Sequence, residues 1–120
     1  MSSKSVFAIW THPLFLTSIQ MLLKHPEIDW LGSTSDYTNA LDMISNLKPE
    51  IIIIEEEQEG KTSIRLMKNL ESHHLDFFII GLNLNDNKLN VYHHQKQKVL
   101  KADDLIRLIL GNFDQKEQTE

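Results

Sequence analysis

Five apolar residues in succession, Val6, Phe7, Ala8, Ile9 and Trp10, show neither a strand nor a helix period, the mark of a strand buried on both faces of a sheet. The run breaks at Thr11 and His12, where Thr11 can cap and Pro13 can open a helix. Phe15, Ile19, Leu22 and Leu23 then recur at helical spacing, predicting a helix over residues 13–24 that His25 and Pro26 stop. Residues 29–33 read as a short strand. Ser35 is a candidate N-cap for a helix whose Tyr37, Ala40, Leu41, Ile44 and Leu47 form one apolar stripe, closed by Lys48 and Pro49. Ile51, Ile52, Ile53 and Ile54, flanked by Glu50 and Glu55, are β-branched and predict a central parallel strand. Beyond Gly60, Ile64, Met67 and Leu70 give a helix over residues 61–73, and Phe77, Phe78, Ile79 and Ile80 another buried strand. A last helix over residues 102–111 carries Leu105, Ile106, Ile109 and Leu110.

Strands alternating with helices through short connections imply an α/β fold, a mostly parallel sheet covered by helices on both faces. The alternation fails after residue 80. Asn83, Asn85, Asp86, Asn87 and Asn90 have side chains that compete for backbone hydrogen bonds, so a helix there is disfavoured and a turn favoured. Leu82 and Leu84 on one side, and Leu89, Val91 and Tyr92 on the other, predict a β-hairpin around residues 85–87. The last strand is therefore expected to run antiparallel, with one helix missing.

With 120 residues the chain reads as one domain over residues 1–113 and a polar tail over residues 114–120. The absence of Cys excludes disulfides, thiolate metal sites and thiol nucleophiles. A net charge of -5 argues against direct nucleic-acid binding, which needs a concentrated positive patch. No apolar stretch approaches the roughly 20 residues of a membrane span, and a cytoplasmic location without membrane contact is expected.

His12, Pro13, Leu14 and Phe15 match the end of the DDHPLF that follows the first strand in bacterial response-regulator receiver domains. Residues 48–55, Lys-Pro-Glu-Ile-Ile-Ile-Ile-Glu, are similar to that family's PDVVLLD, and residues 103–106, Asp-Asp-Leu-Ile, to its EELL. The chain thus resembles a receiver domain, which implies a flavodoxin-like (CheY-like) three-layer sandwich with sheet order 2-1-3-4-5 and a site at the carboxyl ends of the strands.

The resemblance places Trp10 and Thr11 where the family has its metal-binding acidic pair, Glu55 where it has the phosphoacceptor Asp, and Lys98 at the position of its Lys. Phosphoryl transfer to a carboxylate needs Mg²⁺ held by clustered oxygens, which Trp10 and Thr11 do not supply. Glu55 is also a methylene too long for in-line attack. No catalytic residue, metal or cofactor is expected. The acidic run Glu55, Glu56, Glu57 and Glu59 reads as solvated carboxylates, and the pairs His73/His74 and His93/His94 as surface histidines. The indole N–H of Trp10, packed into the vacated pocket, is expected to seek Glu55.

These residues predict a phosphorylation-independent signalling module that binds another signalling protein or an output domain, with a homodimer left open. Lys88, Tyr92, His94 and Lys96 mark a candidate partner-binding edge, weighed against lysines that merely protect an edge strand. One alternative makes Glu55 a mimic of the phosphorylated Asp in a constitutively active-like regulator. Another makes the strand-end crevice a small-molecule or nucleotide site, which a Trp10 filling that crevice would close. Losing the helix before the last strand would remove part of the surface through which receiver domains usually dimerise.

Overall fold

A computed structural model describes residues 4–56, 61–71, 77–83, 88–93, 96–101, 105 and 109–110. Strands β1 (Lys4–Ile9), β2 (Ile28–Thr34), β3 (Ile51–Glu55), β4 (Phe78–Asn83), β5 (Lys88–His93) and β6 (Lys96–Lys101) form one sheet of order β2-β1-β3-β4-β5-β6. Helices α1 (Pro13–Leu22), α2 (Tyr37–Leu47) and α3 (Lys61–Glu71) connect the first four strands, which pair in parallel. Crossovers of this length are what parallel pairing requires.

Strand β3 shows why the aperiodic runs are strands. Ile51 and Ile53 join one apolar cluster with Val6, Phe15, Ile19, Leu82 and Leu89, beneath α1. Ile52 and Ile54 join the other with Phe7, Ala40, Ile44, Leu66 and Leu70, beneath α2 and α3. Each face of the strand is buried, so alternation has nothing to report. All four isoleucines are within 1% of full burial, and each contributes about 1.5–3 kcal/mol of hydrophobic stabilisation.

The predicted hairpin is present. Strands β4 and β5 pair antiparallel with Leu82 opposite Leu89, Ile80 opposite Val91 and Ile79 opposite Tyr92. Only residues 84–87 separate the two strands, too few for a helix that crosses a sheet; the predicted turn at residues 85–87 lies outside the described residues. Leu82, Leu89 and Val91 are buried on the α1 side, whereas Tyr92 is buried on the other.

Three details differ from expectation. The chain adds a sixth strand, β6, antiparallel to β5 with Tyr92 opposite Gln97, so β5 is interior and β6 takes the edge. Its sequence, KQKVLK, has too few apolar residues to announce a strand; pairing with β5 supplies what pattern does not. Helix α2 is capped by Asp36 rather than Ser35, its carboxylate accepting from the amides of Thr38 at 3.0 Å and Asn39 at 3.3 Å. Helix α1 begins at Pro13 as expected, but His12 is its N-cap and no local side chain caps it. Of the predicted C-terminal helix, Leu105, Ile109 and Leu110 are described; all three are helical, and the first two are buried against the α1-side cluster. The tail over residues 114–120 lies outside the described residues.

Candidate functional site

The missing cap of α1 is supplied from across the sheet. Strand β3 ends at Glu55, next to the end of β1, because Ile9 and Ile54 are register partners. Glu55 Oε1 accepts the backbone N–H of Thr11 at 2.7 Å and of His12 at 2.9 Å, two groups left without helical partners just ahead of α1. His12 Nδ1 lies 2.6 Å from Oε2. Burial pushes the Glu55 carboxyl upward, but these N–H bonds and the histidine outweigh it and hold the group below its ordinary value. Ionised, Glu55 has no proton to give, so His12 donates through Nδ1.

The structure thus brings Thr11 and Glu55 together at the strand ends, through a backbone amide rather than the Thr11 side chain. Trp10 does not donate to Glu55. Its side chain packs half-buried against the α1-side cluster, and Nε1 is buried without a hydrogen-bond partner among the described residues. The two backbone amides and His12 occupy the carboxylate instead. Leu82 stands opposite Glu55 in the β3–β4 ladder. Lys98 is carried by β6, opposite Val91, and not by the strand beside β4.

The acidic run is not uniformly solvated. Glu56 turns to the opposite side of the sheet from α1 and is 5% exposed. Its amide continues the ladder by donating to Leu82 O at 3.0 Å, and its Oε2 accepts from the Ser63 hydroxyl of α3. Burial raises the Glu56 carboxyl above its ordinary value, and the bonds from Ser63 offset this only in part. Gly81 makes the arrangement fit: a Cβ there would lie 2.5 Å from Glu56 Oε2 and 2.7 Å from Ser63 Oγ. Burial, and secondarily the charge of Glu56, raises the Tyr92 phenol. Sequence reasoning missed Glu56 and Ser63, since seven positions and a loop separate them and only Gly81, from another strand, opens the space. Glu57 and Glu59 lie outside the described residues.

Of the candidate edge, Tyr92 is 3% exposed and belongs to the core rather than to the exposed surface. Lys88 and Lys96 are placed on β5 and β6, while His94, like His73 and His74, lies outside the described residues. The exposed apolar side chains are elsewhere. Leu14, Met21 and Leu22 are 78%, 71% and 56% exposed and share one face of α1, being seven and eight positions apart. That helix, PLFLTSIQML, carries no charged residue. Among the described residues no group of three or more His, Asp or Glu could hold a metal ion, and no helix is long and apolar enough to cross a membrane.

No family model and no curated protein matches the chain. Solved structures do. The signal receiver domain of the response regulator NarL from Mycobacterium tuberculosis is 18% identical with a TM-score of 0.61, over 69% of this chain and 68% of that one. The RcsB response regulator of Salmonella typhimurium, in a study of its conformational dynamism for DNA interaction, is 24% identical with a TM-score of 0.59, over 71% of this chain and 44% of that one. The two-component response regulator RcsB in complex with DNA is 25% identical with a TM-score of 0.56, over 72% and 45%. The chain therefore matches less than half the length of either RcsB chain. With parallel strands in the order 2-1-3-4 followed by an antiparallel fifth, the chain carries the fold of response-regulator receiver domains.

Proposed function

We propose that the chain is a receiver-like signalling module that works without phosphorylation, by binding another protein or an output domain. The observation that carries this reading is the commitment of Glu55. Its carboxylate is bonded to two backbone amides and to His12, so it is a structural cap for the β1–α1 connection rather than a free acceptor. Beside it Trp10 and Thr11 offer no carboxylate to hold Mg²⁺. The apolar, uncharged face of α1 supports a protein as the partner, since contiguous exposed apolar side chains mark interaction surfaces. Trp10 lying against the core supports this reading over a small-molecule crevice.

The module is not an enzyme in this reading, needs no cofactor, and acts in the cytoplasm. The test is incubation of the full chain with acetyl phosphate and Mg²⁺, followed by intact-mass spectrometry. No phosphoryl adduct is expected; an adduct lost in Glu55→Gln would overturn the proposal. Glu55 remains ionised at the acceptor position, which favours the phosphomimic reading as the second choice. Partner capture by Glu55→Gln tests the mimic: unchanged binding eliminates it, and binding abolished in a variant that stays folded supports it.

A further inference from the structure

Glu56 has no part in the strand-end site, yet it is the buried carboxyl group with the least compensation among the described residues. One oxygen, Oε2, receives the Ser63 hydroxyl; the other, Oε1, is buried with no partner among the described residues. An ionised carboxylate has about four acceptor sites, whereas a carboxylic acid has fewer to satisfy and no charge to solvate. Among the described side chains around it, none supplies a countercharge. From β4 it meets Gly81, which does not titrate, and from α3 it meets Ser63, which does not titrate either. From β5, among the described side chains, the facing titratable group is Tyr92, whose phenol Glu56 disfavours from ionising. Glu55, its neighbour on β3, is engaged with His12 on the α1 side. Arg65 of α3 stacks over Tyr37 of α2, 4.4 Å from the ring centroid.

The placement couples the charge of this group to a helix. Glu56 directly follows β3 and Ser63 lies in the first turn of α3, so their bond spans the whole β3–α3 connection. The seat exists because residue 81 has no Cβ. We propose that Glu56 is a protonation-gated latch: as the neutral acid it docks over Gly81 and on Ser63, fixing the start of α3 to the sheet, and on ionising it leaves this seat and frees the first turn of α3. The inference does not depend on whether the domain is phosphorylated or on what it binds. It gives the start of α3 two states, set by one proton.

The test uses the full chain and ¹³C detection of the Glu56 side-chain carboxyl, with the Ser63 and Gly81 amides followed through the same titration. All three are expected to share one transition above the ordinary value of 4.5. Hydrogen exchange in the first turns of α3, corrected for intrinsic rates, should accelerate about tenfold or more across it. Glu56→Gln should abolish the transition, and Ser63→Ala, which removes the tether, should leave Glu56 titrating while α3 no longer follows it. A carboxyl that titrates at or below 4.5, or one that titrates with Ser63, Gly81 and α3 unchanged, would overturn the latch. If Glu56→Gln does not fold, the wild-type titration and Ser63→Ala decide the matter alone.

Discussion

Glu55 and His12 meet at 2.6 Å although 43 positions separate them, and the contact joins the end of β3 to the start of α1. The neighbouring carboxyl, Glu56, faces the other way into a buried seat against Gly81 and the Ser63 hydroxyl. Two adjacent glutamates thus end on opposite sides of one sheet, one held below and the other above the ordinary carboxyl value.

That opposition has a measurable sign. Glu55 is held below its ordinary value in the folded chain, so its contribution to stability is present above pH 4.5 and lost as pH falls through the folded value. Glu55→Gln should lower the unfolding free energy by about 1–2 kcal/mol at neutral pH and differ little from wild type in strong acid. Glu56 is held above its ordinary value, so its contribution is present below 4.5 and lost as pH rises through the folded value. In Glu56→Gln that decline should disappear. Urea unfolding across the acid and neutral range reads both; parallel curves for wild type and Glu55→Gln would refute the capping role.

Gly81→Ala tests the seat directly. The added Cβ would fall 2.7 Å from Glu56 Cγ as well as against its oxygen, so Glu56 or the strand must shift. A cost of about 1–3 kcal/mol is expected, as for other overpacked sites. With Glu56→Ala already in place, the same substitution should cost far less, and the difference is the coupling energy of a double-mutant cycle. Additive effects would mean that Gly81 makes room for Ser63 or the backbone and not for Glu56.

Helix α1 separates core from surface within two residues. Ile19 is fully buried and Met21 is 71% exposed. Ile19→Ala should cost about 2–5 kcal/mol, whereas Met21→Lys should change stability by less than about 0.5 kcal/mol while weakening capture of any partner that uses this face. Equal capture by Met21→Lys and wild type would move the partner surface away from α1.

The sheet was legible wherever local pattern and tertiary environment agreed. Ile51, Ile52, Ile53 and Ile54 could only be a doubly buried strand, and the Asn and Asp residues between Leu82 and Leu89 correctly replaced a helix with a reversal of direction. What escaped is what depends on partners distant in sequence. Strand β6 owes its conformation to pairing with β5, since Val99 and Leu100 are its two apolar residues. The burial of Glu56 depends on the side chain that residue 81 lacks. Trp10 was expected to bond Glu55, but backbone amides are closer in the chain's own geometry and need no side-chain ordering to reach it. Local sequence carries no sign of such competition for one acceptor.

Trp10 gives the last prediction. Its indole N–H is buried without a partner among the described residues, while the ring packs on the cluster beneath α1. Leaving a buried donor unsatisfied costs about 1–3 kcal/mol, so removing the donor while keeping an aromatic ring removes a penalty along with some apolar contact. Trp10→Phe should therefore fall within about 1 kcal/mol of wild type, whereas Trp10→Ala, which deletes the ring, should cost about 3–5 kcal/mol. Thermal and urea unfolding of the two variants measure the contrast. A Trp10→Phe loss as large as that of Trp10→Ala would mean that the N–H holds an essential hydrogen bond, and the packing account of this residue would fail.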